Sequence, residues 1–319
     1  PRDIERALIQ DFSTNPEQRD LQLEAKAHIE VQTLLDLDQT LRSLDVTSLE
    51  FIQQLHREFY RRLPEQFWQL ETMTVIPGEF RTVGVQIGRH VPPTPETITQ
   101  FLERFARAYH PDHLSKIDRI LAAAASHHRF VWIHPFLDGN GRVVRLFSHA
   151  YFQRIGIGNS LWSVSRGLAR RIQDYRSRLD GADQQRRNDY DGRGNLSMAG
   201  LTQFCEFFLE TCIDQVDFMQ QLLEPNRLLD RIEADVAIAI RKKQLLPGSF
   251  PLLKAAFLEG IIPRGKAAAI TGYQERQARS VLKRLLEKGL LVADSPKAPV
   301  RLGFPIVAAE QWLPRLWAD

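Results

Sequence analysis

Apolar residues recur at helical spacing along most of the chain. The stretches LQLEAKAHIEVQTLLDL and SLEFIQQLHREFYRRL, near the N-terminus, repeat them every three or four positions, and LTQFCEFFLETCIDQVDFMQQLLE does so further along. Thr47 or Ser48 suits the start of the second helix, because its hydroxyl can accept a hydrogen bond from the first turn. The stretch ILAAAASHHRFVWI is mostly apolar, which predicts a helix in the centre of a bundle. The pattern therefore predicts a mainly α fold.

Residues 72–93 follow a different pattern. The stretch MTVIPGEFRTVGVQIG is rich in β-branched residues and contains Pro77-Gly78 and Gly84, so we predict short strands and a hairpin. The segment VPPTPE then breaks the chain, and a new helix is predicted over residues 96–109. One small β element is therefore expected within a helical body.

The C-terminal residues 249–319 have a pattern of their own. FPLLKAAFLEG predicts a helix ended by Gly260, RGKAAAITGYQERQARSVLKRLLEKGLL predicts two helices around a turn at Thr271-Gly272, and VADSPKAPVRLGF suits a small hairpin. This order predicts a winged helix-turn-helix. The predicted domains are N-terminal helices over 1–70 that pack on the core, a catalytic core over 71–225, a connecting helix and linker over 226–248, and the winged helix-turn-helix over 249–319.

Composition narrows the class of protein. The 319 residues are 43% hydrophobic and 25% charged, as in an ordinary globular protein. No run of about 18 apolar residues occurs and the first residues are polar, so we expect neither a membrane span nor a signal peptide. Cys205 and Cys212 are too far apart on a predicted helix for a disulfide, which favours reduced thiols and a cytoplasmic location. The net charge is +3, yet residues 241–319 carry 14 Lys/Arg against 6 Asp/Glu, which indicates two modules with different partners.

The segment HPFLDGNGRVVR, residues 134–145, concentrates the candidate chemistry. Its Gly139-Asn140-Gly141 turn precedes a predicted helix, so backbone N–H groups there point outward unpaired. The small residues let an anion approach, and the helix dipole adds about half a positive charge. Arg142 and Arg145 share a helix face, where two guanidinium groups can hold two phosphate groups. The segment therefore predicts a phosphate-binding loop.

An acid and a histidine complete this segment. Asp138 lies beside the loop, where a carboxylate among phosphates requires a bridging cation, and Mg²⁺ commonly takes one or two carboxylates plus phosphate oxygens. His134, with an ordinary pKa of about 6.5, can accept a proton from an incoming hydroxyl. The segment holds no protein nucleophile, which favours direct transfer of a phosphate-containing group.

At these residues the chain resembles the Fic family, whose motif HxFx[DE]GNGRxxR it matches at every defined position. The resemblance covers roughly residues 20–225. PGEFRTVGVQIG and VPPTPE resemble the family's flap hairpin and the proline-rich segment after it, and HHRFVWIHPF resembles the helix that leads into the active loop. The resemblance implies a Fic-type helical bundle with a small β-hairpin flap, to which the winged-helix domain is appended.

The resemblance also implies an activity. Fic proteins typically transfer AMP from ATP to a hydroxyl side chain of a target protein, so the implied cofactors are ATP and Mg²⁺. His134 would deprotonate a target Tyr, Thr or Ser, and Asp138 would hold Mg²⁺. The implied nucleotide-binding residues are Gly139, Asn140, Gly141 and Arg142 in the anion hole, Arg145 on the γ-phosphate and Tyr175 at the adenine pocket. The flap residues Arg81, Thr82, Val83, Gly84 and Val85 would bind the target backbone as an added strand.

One feature common in the family has no match in the sequence. Many Fic proteins carry an inhibitory helix with the pattern [ST]xxxE[GN], whose Glu pairs with the second motif arginine, here Arg145. Ser13 to Glu17 has the spacing, but Gln18 replaces the small residue and Pro16 is unsuited to the helix. Removal of AMP and transfer of another nucleotide therefore stay open beside AMP addition, as does a regulator in which this body senses nucleotide.

The basic C-terminal part suggests a second partner. Arg276, Arg279 and Lys283 share one face of the predicted second helix, opposite the apolar residues. This face predicts DNA binding through phosphate contacts. A protein-docking or dimerisation module, including a homodimer, stays open as the alternative, because helix-turn-helix geometry does not by itself imply a groove contact.

Overall fold

The computed structural model describes residues 7, 12–157, 163–293, 295–305, 308 and 311–313. The chain divides into two compact units between Asp217 and Phe218. The described residues are mainly helical, as the apolar pattern predicts. None of the helices in these ranges is both long enough and apolar enough to cross a membrane. Cys205 and Cys212 are free thiols.

The first unit is built from helices. They are α1 (Pro16–Leu37), α2 (Gln39–Ser43), α3 (Leu49–Tyr60), α4 (Ile98–Tyr109), α5 (Lys116–Ile133), α6 (Asn140–Arg154), α7 (Val164–Arg170), α8 (Ile172–Asp183) and α9 (Met198–Leu222), the last of which continues past the division. Side-chain caps start several of them. The Ser48 hydroxyl accepts a hydrogen bond from the Phe51 N–H at 3.1 Å, which confirms the predicted start of α3, and Ser115 caps α5 in the same way.

Helices α5 and α6 lie at the centre of this unit. The alanines of α5, residues 122–124, are buried and let its neighbours approach closely, which confirms the prediction of a central helix. Phe130 of α5 and Phe147 of α6 are fully buried with their ring centroids 5.8 Å apart. Each such ring contributes roughly 1.5–3 kcal/mol by burial. The short connection between α5 and α6, residues 134–139, is therefore anchored at both ends by the best-packed part of the unit.

The predicted β-hairpin over residues 72–93 is absent. In this fully described segment the structure has isolated bridges, Gln69 with Thr74 and Ile87 with His90, and no strand. A two-stranded hairpin without a third strand or a packing face is marginal in water. Side chains fix the segment instead: His90 Nε2 donates to the Trp132 carbonyl at 2.8 Å, and Arg81 makes further contacts described below.

The second unit has its own hydrophobic core. Its elements are α10 (Pro225–Arg241), α11 (Ser249–Glu259), α12 (Ala267–Thr271), α13 (Glu275–Glu287), β1 (Leu291–Val292) and β2 (Arg301–Leu302), with an isolated bridge between Ile262 and Val300. Gly260 and Gly272 end α11 and α12 with positive φ angles of 76° and 69°, at the two positions that the sequence predicts. Strands β1 and β2 pair antiparallel.

The segment 226–248, predicted as a connecting helix and linker, packs into this second core. Leu228, Ile232 and Val236 of α10 are buried among the residues of α11 and α13. Trp312 Nε1 donates to the Asp235 carboxylate at 2.9 Å. The apolar face of α10 gives the reason, since three buried aliphatic side chains at helical spacing stabilise a packed helix rather than an exposed connection.

Candidate active site

His134 ends α5 in a left-handed conformation, with φ 49° and ψ 61°. This region is uncommon for a residue with a side chain, so the surrounding structure must hold it. The backbone N–H of His134 donates to Phe130, and its Nδ1 lies 3.3 Å from the Val131 carbonyl oxygen. Because a carbonyl only accepts, this contact places the proton on Nδ1. Nε2 is left as a free acceptor, with no partner among the described residues.

The surroundings keep the His134 ring neutral. Burial is the largest cause that lowers the pKa of His134, to about 4, while the contact with Val131 opposes it. The charges of His90 and Arg81 lower the pKa further, and Asp138 acts in the opposite direction. At neutral pH the ring is therefore unprotonated and can accept a proton.

Phe136 and Asn140 fix the shape of the loop after His134. Phe136 is fully buried and stacks on His56, with ring centroids 3.9 Å apart. The Asn140 amide accepts from the Phe136 N–H at 2.9 Å and donates to the Phe136 carbonyl at 2.8 Å. The side chain of Asn140 thus closes the loop on itself.

Asp138 is a half-exposed carboxylate that a buried tyrosine and an arginine hold in place. Tyr60, fully buried on α3, donates its hydroxyl to Asp138 Oδ2 at 2.7 Å, and Arg142 Nη1 lies 3.7 Å from the same oxygen. Burial acts to raise the pKa of Asp138, but the Tyr60 hydrogen bond and the Arg142 charge outweigh it and leave the pKa lowered. Asp138 is therefore ionised over the whole physiological range.

The start of α6 presents free backbone donors. Gly139 has φ 80°, and a Cβ there would stand 2.7 Å from the Tyr60 ring, so only glycine fits. The N–H groups of Asn140 and Gly141 have no acceptor within the part of the chain that the structure describes. Gly141 is exposed, and a Cβ there would lie 3.7 Å from Arg145 Nη1. An anion can therefore reach the backbone donors and the Arg145 guanidinium together.

Arg145 carries its charge without a carboxylate partner in the described ranges. Burial lowers the pKa of Arg145. The charges of Tyr175 and Glu24 act to raise this pKa, and the Arg142 charge lowers it. An uncompensated buried charge costs up to about 3–5 kcal/mol, so a half-buried one remains strongly disposed to bind an anion.

Arg142 is paired by a residue that the sequence does not single out. Glu24 Oε1 on α1 lies 3.0 Å from Arg142 Nη1, the same nitrogen that faces Asp138. Burial raises the pKa of Glu24, and the Arg142 charge opposes it. In the candidate Ser13 to Glu17, Ser13 bonds Gln18 and Gln22, and Glu17 makes no ion pair with either motif arginine among the described residues. Glu24 therefore reaches the motif from α1, and it pairs with the first motif arginine.

Tyr175 is deeper than an adenine-lining residue would be. Its side chain is only 7% exposed, and its hydroxyl lies 2.8 Å from His127 Nε2. His127 Nδ1 in turn lies 2.7 Å from the Ser148 hydroxyl, which donates to the Val144 carbonyl. The partners of Tyr175 are therefore core residues, and its contact with adenine stays a prediction.

The predicted flap residues divide into one buried and four accessible positions. Arg81 is buried, whereas Thr82, Val83 and Gly84 are exposed and Val85 is half-buried. The backbone N–H groups of residues 82–85 have no acceptor among the described residues. The segment therefore presents unpaired backbone donors, although it is not a strand.

A single carboxylate is available for a metal ion. Within the described residues no group of three or more His, Cys, Asp and Glu side chains could hold a metal alone. Asp138 fits Mg²⁺ that is shared with phosphates, since such ions take one or two carboxylates and complete their shell with phosphate oxygens and water.

The basic residues predicted in the second unit lie on the outside of α13. Arg276, Arg279 and Lys283 are exposed, while Ala278 and Val281 face the core. Arg279 pairs with Glu275 at 2.8 Å, and the Lys283 ammonium lies 3.8 Å from Glu287. The exposed face of α13 therefore carries acidic residues beside its basic ones, near both ends of the helix.

These features together define a loop-and-helix anion site with a neutral histidine and a metal-competent carboxylate beside it. Residues 46–152 match the sequence model of the Fic/DOC family. The protein adenylyltransferase Fic of Drosophila erecta is 40% identical over 79 residues, which are 25% of this chain and 16% of the fly protein. The corresponding protein of Drosophila yakuba is 42% identical over 79 residues. The matched part thus spans about a sixth of the length of these relatives.

A solved structure gives a broader likeness. A Fic family protein from Desulfovibrio desulfuricans G20 aligns over 95% of this chain and 81% of its own, with 17% sequence identity and a TM-score of 0.49.

Several residues of the site escape sequence reasoning. Glu24 and His28 lie on the same face of α1 as the buried residues Val31 and Leu35. Two polar residues on an otherwise apolar helix face are the sequence feature that could have indicated a functional role for them. His28 Nδ1 is buried without a hydrogen-bond partner. Burial and the Arg145 charge lower the pKa of His28 to about 3.

His56 and Tyr60 are the other missed pair. They lie one turn apart on α3, and both are fully buried. His56 Nδ1 accepts from the Gly78 N–H at 2.8 Å, and its Nε2 donates to the Asp138 carbonyl at 3.2 Å. Two polar aromatic residues at i and i+4 on an apolar helix face were the available signal.

Replacing Glu24 by Gln is expected to tighten the binding of Mg-ATP by roughly tenfold, because a charged hydrogen bond that competes for Arg142 is removed. Titration calorimetry measures the dissociation constant. Glu30→Gln is the matched control, since Glu30 lies on the same helix and its ion pairs among the described residues are with Lys26 and Arg62, each at 3.8 Å. Equal affinities for wild type and Glu24→Gln would show that Glu24 does not compete with phosphate.

Proposed function

We propose that the protein is a protein adenylyltransferase that transfers AMP from Mg-ATP to a Tyr, Thr or Ser hydroxyl of a target protein. The observation that carries the proposal is the Arg145 guanidinium, which has no carboxylate partner among the described residues, beside the N–H groups of Asn140 and Gly141, which have no acceptor there. Such an arrangement suits a chain of phosphates better than a single anion, because donors are spread over more than one turn of α6. The adenylyltransferase relatives support the same activity for the matched segment.

The proposed step uses no protein nucleophile. The target hydroxyl oxygen forms a bond to the α-phosphorus, the bond from the α-phosphorus to the bridging oxygen breaks, and pyrophosphate leaves with the electron pair. The hydroxyl proton passes to His134 Nε2, the nitrogen that the Val131 contact leaves free. The neutral state of His134 suits this role at physiological pH.

The other side chains supply charge and position. Asp138 would hold Mg²⁺, which would neutralise phosphate charge when bound. Gly139, Asn140 and Gly141 contribute backbone donors, and Arg142 binds phosphate once it separates from Glu24. Arg145 holds the terminal phosphate. Stabilisation of developing charge by preorganised donors is commonly the largest contribution to such reactions.

The target is proposed to bind along residues 82–85. Their free N–H groups can pair with an extended target segment, which fixes the backbone without selecting much side-chain sequence. Val83, 38% exposed, adds an apolar contact there. The target hydroxyl would then be presented next to the loop that carries His134.

The position of the label in ATP tests the proposed reaction. We expect phosphorus label to reach a target protein from the α position and not from the γ position. His134→Ala should lower the transfer rate by roughly 10²- to 10⁴-fold with the fold retained, because the base is lost. Label from the γ position would instead indicate phosphorylation, and loss of existing AMP without transfer would favour AMP removal.

We propose DNA binding as a second function, carried by the second unit as a winged helix-turn-helix. The observation that favours it is the position of α12, the turn at Gly272, α13 and the β1–β2 pair in the order of that motif. Arg276, Arg279 and Lys283 are exposed on α13 and can contact phosphates.

Salt dependence tests the DNA proposal. Replacing Arg276, Arg279 and Lys283 together by Ala should weaken binding of duplex DNA and reduce the slope of log affinity against log salt by about 2–3. Fluorescence anisotropy over a salt series measures both quantities. The absence of salt-dependent binding in the wild type, with a concentration-dependent oligomer in solution, would favour the dimerisation alternative.

A further inference from the structure

Arg81 is a buried cation next to the proposed base. Its side chain is only 4% exposed, although the sequence predicts it on an accessible flap. Nε donates to the His134 carbonyl at 2.8 Å, and Nη2 donates to the Pro93 carbonyl at 2.6 Å. Nη1 donates to the Val83 carbonyl at 2.9 Å. One guanidinium group therefore joins three separate points of the backbone.

The backbone of Arg81 reinforces this connection. Its N–H donates to the Pro135 carbonyl at 2.9 Å, immediately after the left-handed His134. Nη2 also lies 3.5 Å from the Ile133 carbonyl, the last residue of α5. The carbonyls of Ile133 and His134 lie at the negative end of the α5 dipole, where a cation is stabilised.

Arg81 has no carboxylate within ion-pair distance among the described residues; its hydrogen bonds go to carbonyl oxygens, and the Glu96 charge acts on it from a longer distance. A lysine could not reproduce these contacts, because three carbonyls in different directions require the planar fork of a guanidinium group. The choice of arginine therefore follows from geometry rather than from charge alone.

We propose that Arg81 is a positioning residue that holds the left-handed turn of His134 and couples it to the target-binding segment through Val83. The inference rests on the proposed function of His134 and residues 82–85. A target segment that pairs with residues 82–85 would pull on the same guanidinium group that fixes His134, so target binding and alignment of the base are linked.

The groups that face the His134 ring are few. Arg81 and His90 approach from the flap segment, Asp138 lies in the loop after His134, and the Val131 carbonyl comes from α5. Loss of the Arg81 charge should therefore raise the pKa of His134. Because AMP transfer needs the neutral ring, the transfer rate of such a variant should begin to fall at a higher pH than that of the wild type when the solution is acidified. A purely structural contact would destabilise the fold without this change.

The test compares Arg81→Met, Arg81→Lys and the control Arg89→Met in the full chain. Arg89 lies in the same flap segment, is exposed, and has no partner among the described residues. Steady-state transfer gives kcat and the KM for ATP, thermal unfolding reports folding, and NMR titration of the His134 ring, assigned with His134→Gln, gives its pKa.

Arg81→Met is expected to lower kcat roughly 10- to 100-fold and to change the KM for ATP less than about threefold, because positioning of the base is lost while nucleotide binding is kept. The pKa of His134 should rise by roughly 0.5 or more. Arg81→Lys should keep the pKa of His134 near the wild-type value and recover part of kcat, and Arg89→Met should match the wild type.

The proposal is overturned if folded Arg81→Met keeps kcat within about threefold of wild type, or if the His134 signals and pKa are the same in all variants. If Arg81→Met does not fold, Arg81→Lys decides: wild-type kcat in that variant contradicts the need for a fork. A wild-type protein that transfers no AMP refutes the proposed function, whereas the NMR titration still decides whether Arg81 controls the state of His134.

Discussion

The two hydrogen bonds between the Asn140 side chain and the backbone of Phe136 are the constraint on which the site depends. They close the loop between α5 and α6 and set the first residue of α6 in place. Because Phe136 is buried against His56, the closed loop cannot shift without opening the core. The free N–H groups at the start of α6 and the carboxylate of Asp138 are therefore presented by a rigid turn, which lowers the entropy lost when an anion binds.

Charge is distributed unequally over this rigid frame. Arg142 lies between two carboxylates, Glu24 and Asp138, whereas Arg145 has none in the described part of the chain. A bound phosphate chain would have to displace Glu24 from Arg142, whereas Arg145 would have no carboxylate of the described residues to displace. Under the proposed function, the contact between α1 and α6, which lies outside the motif, would therefore weaken nucleotide binding.

The local part of the site could be predicted from the sequence, because His134, Asp138 and Arg145 lie within one turn-and-helix segment whose geometry follows from residue spacing. Glu24, Tyr60 and Arg81 could not, since tertiary packing brings them to that segment from 53 to 118 positions away. The pattern of β-branched residues at 72–93 predicts a hairpin, but the segment forms isolated bridges in place of strands, and Arg81 and His90 fix it to the end of α5. The helices and their glycine ends were predictable because capping is local.

The proposed function depends most on Arg145, which has no carboxylate partner among the described residues and is proposed to bind the terminal phosphates of a nucleotide. Titration calorimetry of Mg-ATP and AMP with wild type and Arg145→Gln tests it most directly. Arg145→Gln is expected to weaken Mg-ATP binding by roughly tenfold or more and to keep the affinity for AMP within about threefold of the wild-type value. The reason is that a charged hydrogen bond to phosphate is lost only for ATP. Equal weakening for both nucleotides, or unchanged affinity for ATP, would contradict it.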